Sequence, residues 1–221
     1  EDMGEKIEFK DLIFEDVYPL YGQMDIRSSS SLRNQAVVED LGIQLNAVRE
    51  VLSHAIAVEA LPAYEEMVFR VDEYLKELQS GLAEGSEQRV LSFLKSDVYP
   101  IFDHLRQINA TIAKEVDGYM ALLNPETNMI YERRKDFDES VSHVNALLAE
   151  MIDERQKAAQ AMFPHYFERY KTDGLEFNLY IGQSISESKK FNTIYHNNLQ
   201  LWQLNSLCQM EHELYQVRKE L

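Results

Sequence analysis

Pro164–Ser184 reads PHYFERYKTDGLEFNLYIGQS, and it is the stretch where helical periodicity stops. Pro164 ends whatever helix precedes it, because it has no N–H to donate and its ring clashes with the turn before. Asp173 and Gly174 form a turn signal, since glycine tolerates positive φ and aspartate bonds its own backbone. Beyond the turn, Leu175, Phe177, Leu179 and Ile181 alternate with Glu176, Asn178 and Tyr180. That period of two predicts a half-buried strand. Upstream, Tyr166, Glu168 and Tyr170 alternate with Phe167 and Arg169, so the stretch predicts a small β-hairpin over residues 166–181, closing near Lys171–Gly174. Two readings follow. The hairpin either plugs one end of a helical bundle, or holds a polar site built from His165, Glu168, Arg169, Lys171 and Asp173.

Helical spacing governs most of what surrounds it. Val37, Leu41, Leu45, Val48, Leu52 and Ala55 predict a first helix over about Ser31 to Ala60, with a serine hydroxyl as its N-cap. Pro62 opens a second helix, carried by Tyr64, Met67, Val71, Leu75, Leu78 and Leu82. A third stripe runs from Val90 through Leu94, Val98, Ile101, Leu105, Ile108 and Ile112 towards Leu123. Pro100 should kink it, leaving one long bent helix or two. A helix over about Ile130 to Phe163 follows, and a last one starts near Phe191. The seam Leu207, Met210, Leu214, Val217 and Leu221 is expected to pair either with the Val37–Ala55 helix or with a second copy of the chain. Trp202 is expected in the core. Ile7–Phe14 would add an edge strand to the hairpin.

The fold class expected is therefore mainly α: an antiparallel bundle of five or six helices with the small hairpin attached. The chain would be one domain, with an extended arm over 1–28, helices over 29–163, hairpin and connection over 164–190, and a terminal helix over 191–221.

Charge narrows the partners. Thirty-eight acids against twenty-two bases leave a net charge of −16, which repels nucleic acid and anionic lipid. No apolar run reaches spanning length, so no membrane helix is expected. The single cysteine, Cys208, permits no internal disulfide and fits a reducing, cytoplasmic setting. It stands four residues before His212, but a buried apolar role is expected of it rather than a nucleophilic one. The chain begins at Glu1, which fits a piece of a longer polypeptide.

No motif assigns chemistry. Di-iron carboxylate proteins require Glu-x-x-His on two helices, and none occurs. Glu139 and His143, four residues apart, are boundary residues on this reading, so no metal or other cofactor is expected. Gly182–Ser186 lacks the glycine that a nucleophile elbow needs. The Asn109–Thr111 sequon is read as lying inside a helix. One further candidate is an anion site at Asp25–Ser31, where free amides, Ser28, Arg27 and Arg33 would hold a phosphate or carboxylate; simple helix capping is the competing account. Arg27, Arg33, Arg169 and Lys171 are bases gathered in the two non-helical stretches. They are expected to meet, facing Asp25, Glu168 and Asp173 or a bound anion.

Tyr18–Ser30 (YPLYGQMDIRSSS) with Arg33 and Asn34, and Pro164–Gly174 (PHYFERYKTDG) with Tyr180–Ser184 (YIGQS), carry a resemblance. Together they resemble the region downstream of the sensory domain in large bacterial GAF-domain-containing signalling proteins. The resemblance implies a cytoplasmic regulatory role, other domains of the same polypeptide as partners, and no catalytic residues. The expected function is a non-catalytic regulatory or protein-interaction module. The alternative is a domain that binds a small anionic ligand, or an enzyme, using Asp25–Ser31 and His165–Asp173.

Overall fold

The computed structural model describes residues 16–186 and 189–220. Strand β1 (Val17–Asp25) is followed by helices α1 (Ser29–Val58), α2 (Pro62–Gln79), α3 (Ser86–Phe93), α4 (Phe102–Ile108), α5 (Ala110–Leu122) and α6 (Arg133–Met162). Then come strands β2 (Tyr166–Thr172) and β3 (Gly174–Gly182), and helix α7 (Thr193–Glu220). The protein is mainly helical with one small antiparallel sheet. Its contacts group it into two units: the stretch up to Ile26 together with Val141–Leu221, and Arg27–Ser140. The division thus falls at the end of β1 and inside α6.

In the unit Arg27–Ser140, every position of the expected α1 stripe is buried, from Val37 to Ala55. Each leucine buried there contributes about 1.5–3 kcal/mol of transfer free energy. Tyr64, Val71 and Leu78 of α2 join the same core, with Val90, Phe93, Leu105, Ile112 and Val116 from the following helices. Pro100 has the effect its missing N–H demands, in a specific form. Leu94–Val98 opens into a π turn, where the Tyr99 N–H reaches back to the Leu94 carbonyl, and Tyr99–Ile101 tightens into a 3₁₀ turn. The path then breaks at Asn109, whose backbone is extended. Its side chain accepts from the Thr111 and Ile112 amides at 2.9 Å, so it caps α5 rather than lying within a helix.

Two polar residues four apart on α1 organise the far end of this unit. Asp40 is fully buried and accepts from the backbone amides of Glu132, Arg133 and Arg134, and from Arg134 Nε at 3.0 Å. It serves as the N-terminal cap of α6 from another helix, placing negative charge where the α6 dipole favours it. Arg134 also donates to Glu87 at 2.7 Å and to the Ile130 carbonyl. One turn on, Gln44 accepts from the Ile130 amide while its amide group donates to the hydroxyls of Tyr99 and Tyr119 and to the Asn128 carbonyl. Burial pushes both tyrosine pKa values up, so these hydroxyls stay neutral. Every polar group of this network has a partner, as a buried network requires.

In the other unit the expected hairpin is the β2–β3 pair, closed at Asp173, with Thr172 opposite Gly174. A third strand joins it, but in a stretch read from the sequence as part of an extended arm. Val17–Asp25 pairs antiparallel with β3 along its length, giving the order β1-β3-β2 with β3 in the centre. The expected strand at Ile7–Phe14 lies outside the described residues. Leu175, Phe177, Leu179 and Ile181 share the buried face, as their alternation predicts. Gly22 stands opposite Phe177, and the ring lies over it so closely that a Cβ there would be 2.2 Å from Phe177 Cζ. Gly174, at φ 138°, presses against the Met24 carbonyl, so a side chain is excluded there too.

The helical side of this core comes from Leu148, Ile152 and Ala159 of α6, from Phe163 just after it, and from Leu199 and Met210 of α7. Trp202, Leu207 and Leu214 pack against it while half-buried. Leu207, Met210 and Leu214 of the α7 seam therefore pack within their own unit, in one core with α6 and the sheet. Arg155 ties the two helices, donating to Ser206 at 2.7 Å and accepting from Trp202 Nε1 through its carbonyl. Cys208 is exposed, not buried as expected. It lies on a different side of α7 from Leu207, because neighbouring helical positions are turned by about 100°.

Candidate functional site

Pleating sends alternate residues of a strand to opposite faces. With Leu175, Phe177, Leu179 and Ile181 committed to the core, the outer face of the sheet is set. It carries Pro19, Tyr21, Gln23 and Asp25 from β1, Tyr166, Glu168, Tyr170 and Thr172 from β2, and Glu176, Asn178 and Tyr180 from β3. The registers arrange these in rows. Pro19, Tyr180 and Tyr166 lie abreast, then Tyr21, Asn178 and Glu168, then Gln23, Glu176 and Tyr170, then Asp25, Gly174 and Thr172. Rows repeat at about 6.7 Å and strands at about 4.8 Å. Four tyrosines are thus displayed on one face at 56% (Tyr21), 47% (Tyr166), 41% (Tyr170) and 37% (Tyr180) exposure.

The rings are held in place by the carboxylates between them. Tyr21 donates to Glu176 at 2.6 Å and to Gln23 at 2.9 Å. The bond to Glu176, partial desolvation and the nearby carboxylate charges push its pKa up to about 12. Tyr166 donates to Glu168 at 2.9 Å, and its ring lies 5.8 Å from that of Tyr180. Hydrogen bonds from Tyr170 and Tyr166 hold the Glu168 carboxyl below its ordinary range, so it is ionised at neutral pH. Gln23 in turn donates to both oxygens of Asp25 at 3.0 Å. Three carboxylates and no lysine or arginine occupy these rows.

The nine residues singled out from the sequence are placed differently from one another. Asp25 and Asp173 do come together, at one end of the sheet, where the Ile26 amide donates to the Asp173 carbonyl at 2.9 Å. His165 stands at the other end of β2, about 25 Å away at 3.3 Å per residue. It is buried, and its bonds fix its tautomer: Nδ1–H donates to the Phe163 carbonyl at 2.8 Å and Nε2 accepts from Gln156 at 2.7 Å. Burial lowers its pKa, so it is neutral. Arg169 makes a two-pronged pair with Asp153 of α6, both bonds 2.9 Å, and so anchors the sheet to that helix. Glu168 belongs to the tyrosine face, and Lys171 is exposed on β2. His165 and Asp173 thus do not line one cavity. Arg27, Ser28 and Arg33 belong to the unit Arg27–Ser140. Ser28 occupies the N-cap position of α1 in a left-handed conformation at φ 62°, and its hydroxyl makes no capping bond, contrary to the expected cap.

The residues missed were the four tyrosines with Glu176 and Asn178. Their alternation was legible, but it reads equally as an ordinary solvated face until β1 supplies the third strand and Tyr21. Among the described residues no group of three or more His, Cys, Asp or Glu side chains is placed to hold a metal ion. No described helix is long and apolar enough to cross a membrane.

The class defined by this fold is a mainly helical protein bearing a three-stranded antiparallel sheet with an open, tyrosine-rich face. Residues 35–148, just over half of the chain, match the model of a family described as YeeD uncharacterised protein, and the chain belongs to that family. The matched span holds Asp40, Gln44, Glu87 and Arg134, while the sheet lies outside it. No curated protein and no solved structure matches the chain.

Proposed function

We propose that this protein is a non-catalytic interaction module whose working surface is the outer face of the sheet. The observation that carries the reading is the display of four tyrosines on one three-stranded face. Tyrosine brings a large, stiff contact area with a polar tip at low entropic cost, which is why it is enriched where proteins bind one another. A sheet face is rigid, and this one is backed by the fully buried Phe177 and Leu179. The helices, read as an antiparallel bundle, serve as the scaffold.

The resemblance of Tyr18–Ser30 and Pro164–Gly174 to the region downstream of sensory domains in GAF-domain-containing proteins supports reading such a module as part of a cytoplasmic signalling polypeptide. In that setting a neighbouring domain or a further protein is the natural partner. The second reading, a small anionic ligand held by Asp25, Arg27, Ser28 and Arg33 with His165–Asp173, is disfavoured by two observations. Arg169 is already paired with Asp153, and His165 is buried among its own partners.

A photo-crosslinking residue at Asn178, in the middle of the face, tests the proposal in the cells that make the protein. Discrete protein adducts are expected there, lost when Tyr21 and Tyr180 are both replaced by serine. A crosslinker at Gln88, exposed on α3, is the control. Equal labelling from both positions would overturn the interaction reading.

A further inference from the structure

We infer that the occupant of the tyrosine face is a cationic chain segment in extended conformation, carrying lysine or arginine at every second position. The inference rests on the interaction reading above and adds the chemistry of the partner.

The pattern of the face carries it. Glu168 sits between Tyr166 and Tyr170 along β2, and Glu176 lies abreast of Tyr170 and Gln23. Rings and carboxylates therefore alternate, and a cation placed over a ring finds a carboxylate about one strand spacing away. An ammonium or guanidinium over a tyrosine face is attracted by the ring quadrupole. Here the hydroxyls of Tyr21 and Tyr166 donate to carboxylates, which concentrates electron density on the rings. The same site satisfies both attractions at once, and an anionic partner would meet Glu168, Glu176 and Asp25 with nothing basic in the rows to offset them.

Spacing selects the conformation. An extended segment presents alternate side chains on one side at about 6.7 Å, the repeat of the rows themselves. A helix presents neighbours on one face at three- and four-residue steps and matches the rows poorly. Other occupants fit less well. A second copy carries the same net charge of −16. Residues 1–15 of this chain hold six acids and two lysines, which is the wrong sign for covering an acidic face.

The test uses the whole chain and a fluorescein-labelled peptide in which lysines alternate with threonines, read by anisotropy at 0.05 M and 0.15 M salt. The peptide is expected to bind, and its counterpart with glutamates for lysines is not. Replacing both Tyr166 and Tyr180 by serine should weaken binding about tenfold, from two lost cation–ring contacts. Glu168→Gln should weaken it, whereas Glu126→Gln, the same charge change on an exposed loop of the other unit, should not. Both tyrosines are exposed, so the variants keep the fold, which Trp202 fluorescence verifies. Equal weakening by Glu126→Gln would mean general attraction to an acidic protein and would overturn the inference. So would unchanged binding by the double tyrosine variant, or a dimer seen by sedimentation that this variant dissolves. Adducts at Asn178 without binding of the lysine peptide would sink the cationic partner alone; loss of both would sink the interaction reading as well.

Discussion

Gly22→Ala separates a packing account of the sheet from a backbone one. Gly22 lies in β1 with an ordinary negative φ, so alanine can adopt its conformation. On backbone grounds alone the change should stabilise, because glycine inside a strand costs roughly 0.5–1 kcal/mol relative to alanine. The structure reverses the sign. The new methyl would stand 2.2 Å from Phe177 Cζ and 2.6 Å from both Cε atoms, well inside van der Waals contact. Phe177 is fully buried, with the Phe167 ring 6.0 Å away, so the ring has little room to withdraw. Overpacking of this kind costs about 1–3 kcal/mol, and the backbone gain offsets only part of it. A net loss of about 1–2 kcal/mol is expected. Trp202 is the only tryptophan and packs on the same core, so urea unfolding followed by its fluorescence reports this unit. A second arm isolates the cause: in a Phe177→Leu background, Gly22→Ala should cost much less, giving a coupling of about 1 kcal/mol or more in the double-mutant cycle. A neutral or stabilised single variant would refute the reasoning.

Two other outcomes follow from groups buried with defined partners. Asp40→Ala removes the acceptor for three amides at the start of α6 and leaves Arg134 with only Glu87 and a carbonyl; a loss of roughly 3 kcal/mol is expected, with faster hydrogen exchange at Glu132–Arg134. Unchanged exchange there would show that the helix start does not depend on this cap. His165 has its folded pKa lowered by burial, so between the unfolded value of about 6.5 and the folded one only the unfolded chain takes the proton. Its contribution is therefore intact above pH 6.5 and is lost as pH falls through that window, no more steeply than about 1.4 kcal/mol per pH unit. Comparing urea midpoints at pH 7.5 and 5.5, His165→Asn should lose less on acidification than the unaltered protein, and parallel losses would argue against a neutral buried imidazole.

Local pattern decided the elements. The stripe from Val37 to Ala55, Pro62 at the start of α2 and the alternation of Leu175–Ile181 each follow from a period that the backbone imposes, so they are readable without knowing what lies opposite. Pro164 and Gly174 mark boundaries for equally local reasons. Strand pairing and burial of polar groups are not local. Pro19 and Gly22 read as punctuation in isolation, and β1 becomes a strand because β3, 149 to 165 residues away along the chain, offers its free edge and a ring that needs a glycine to lie on. Asp40 and Gln44 look like the solvated side of α1 until the amides of residues 130–134 arrive to bond them. Cys208 reads as buried because a free thiol behaves as a small hydrophobe, yet only the direction in which α7 is packed decides which of adjacent positions is covered. The tyrosine face belongs to both levels: alternation placed Tyr166, Tyr170 and Tyr180 on the polar side of their strands, and the register of three strands brought them beside Tyr21, Glu168 and Glu176 as one surface, since which residues stand abreast is set by hydrogen bonds between strands.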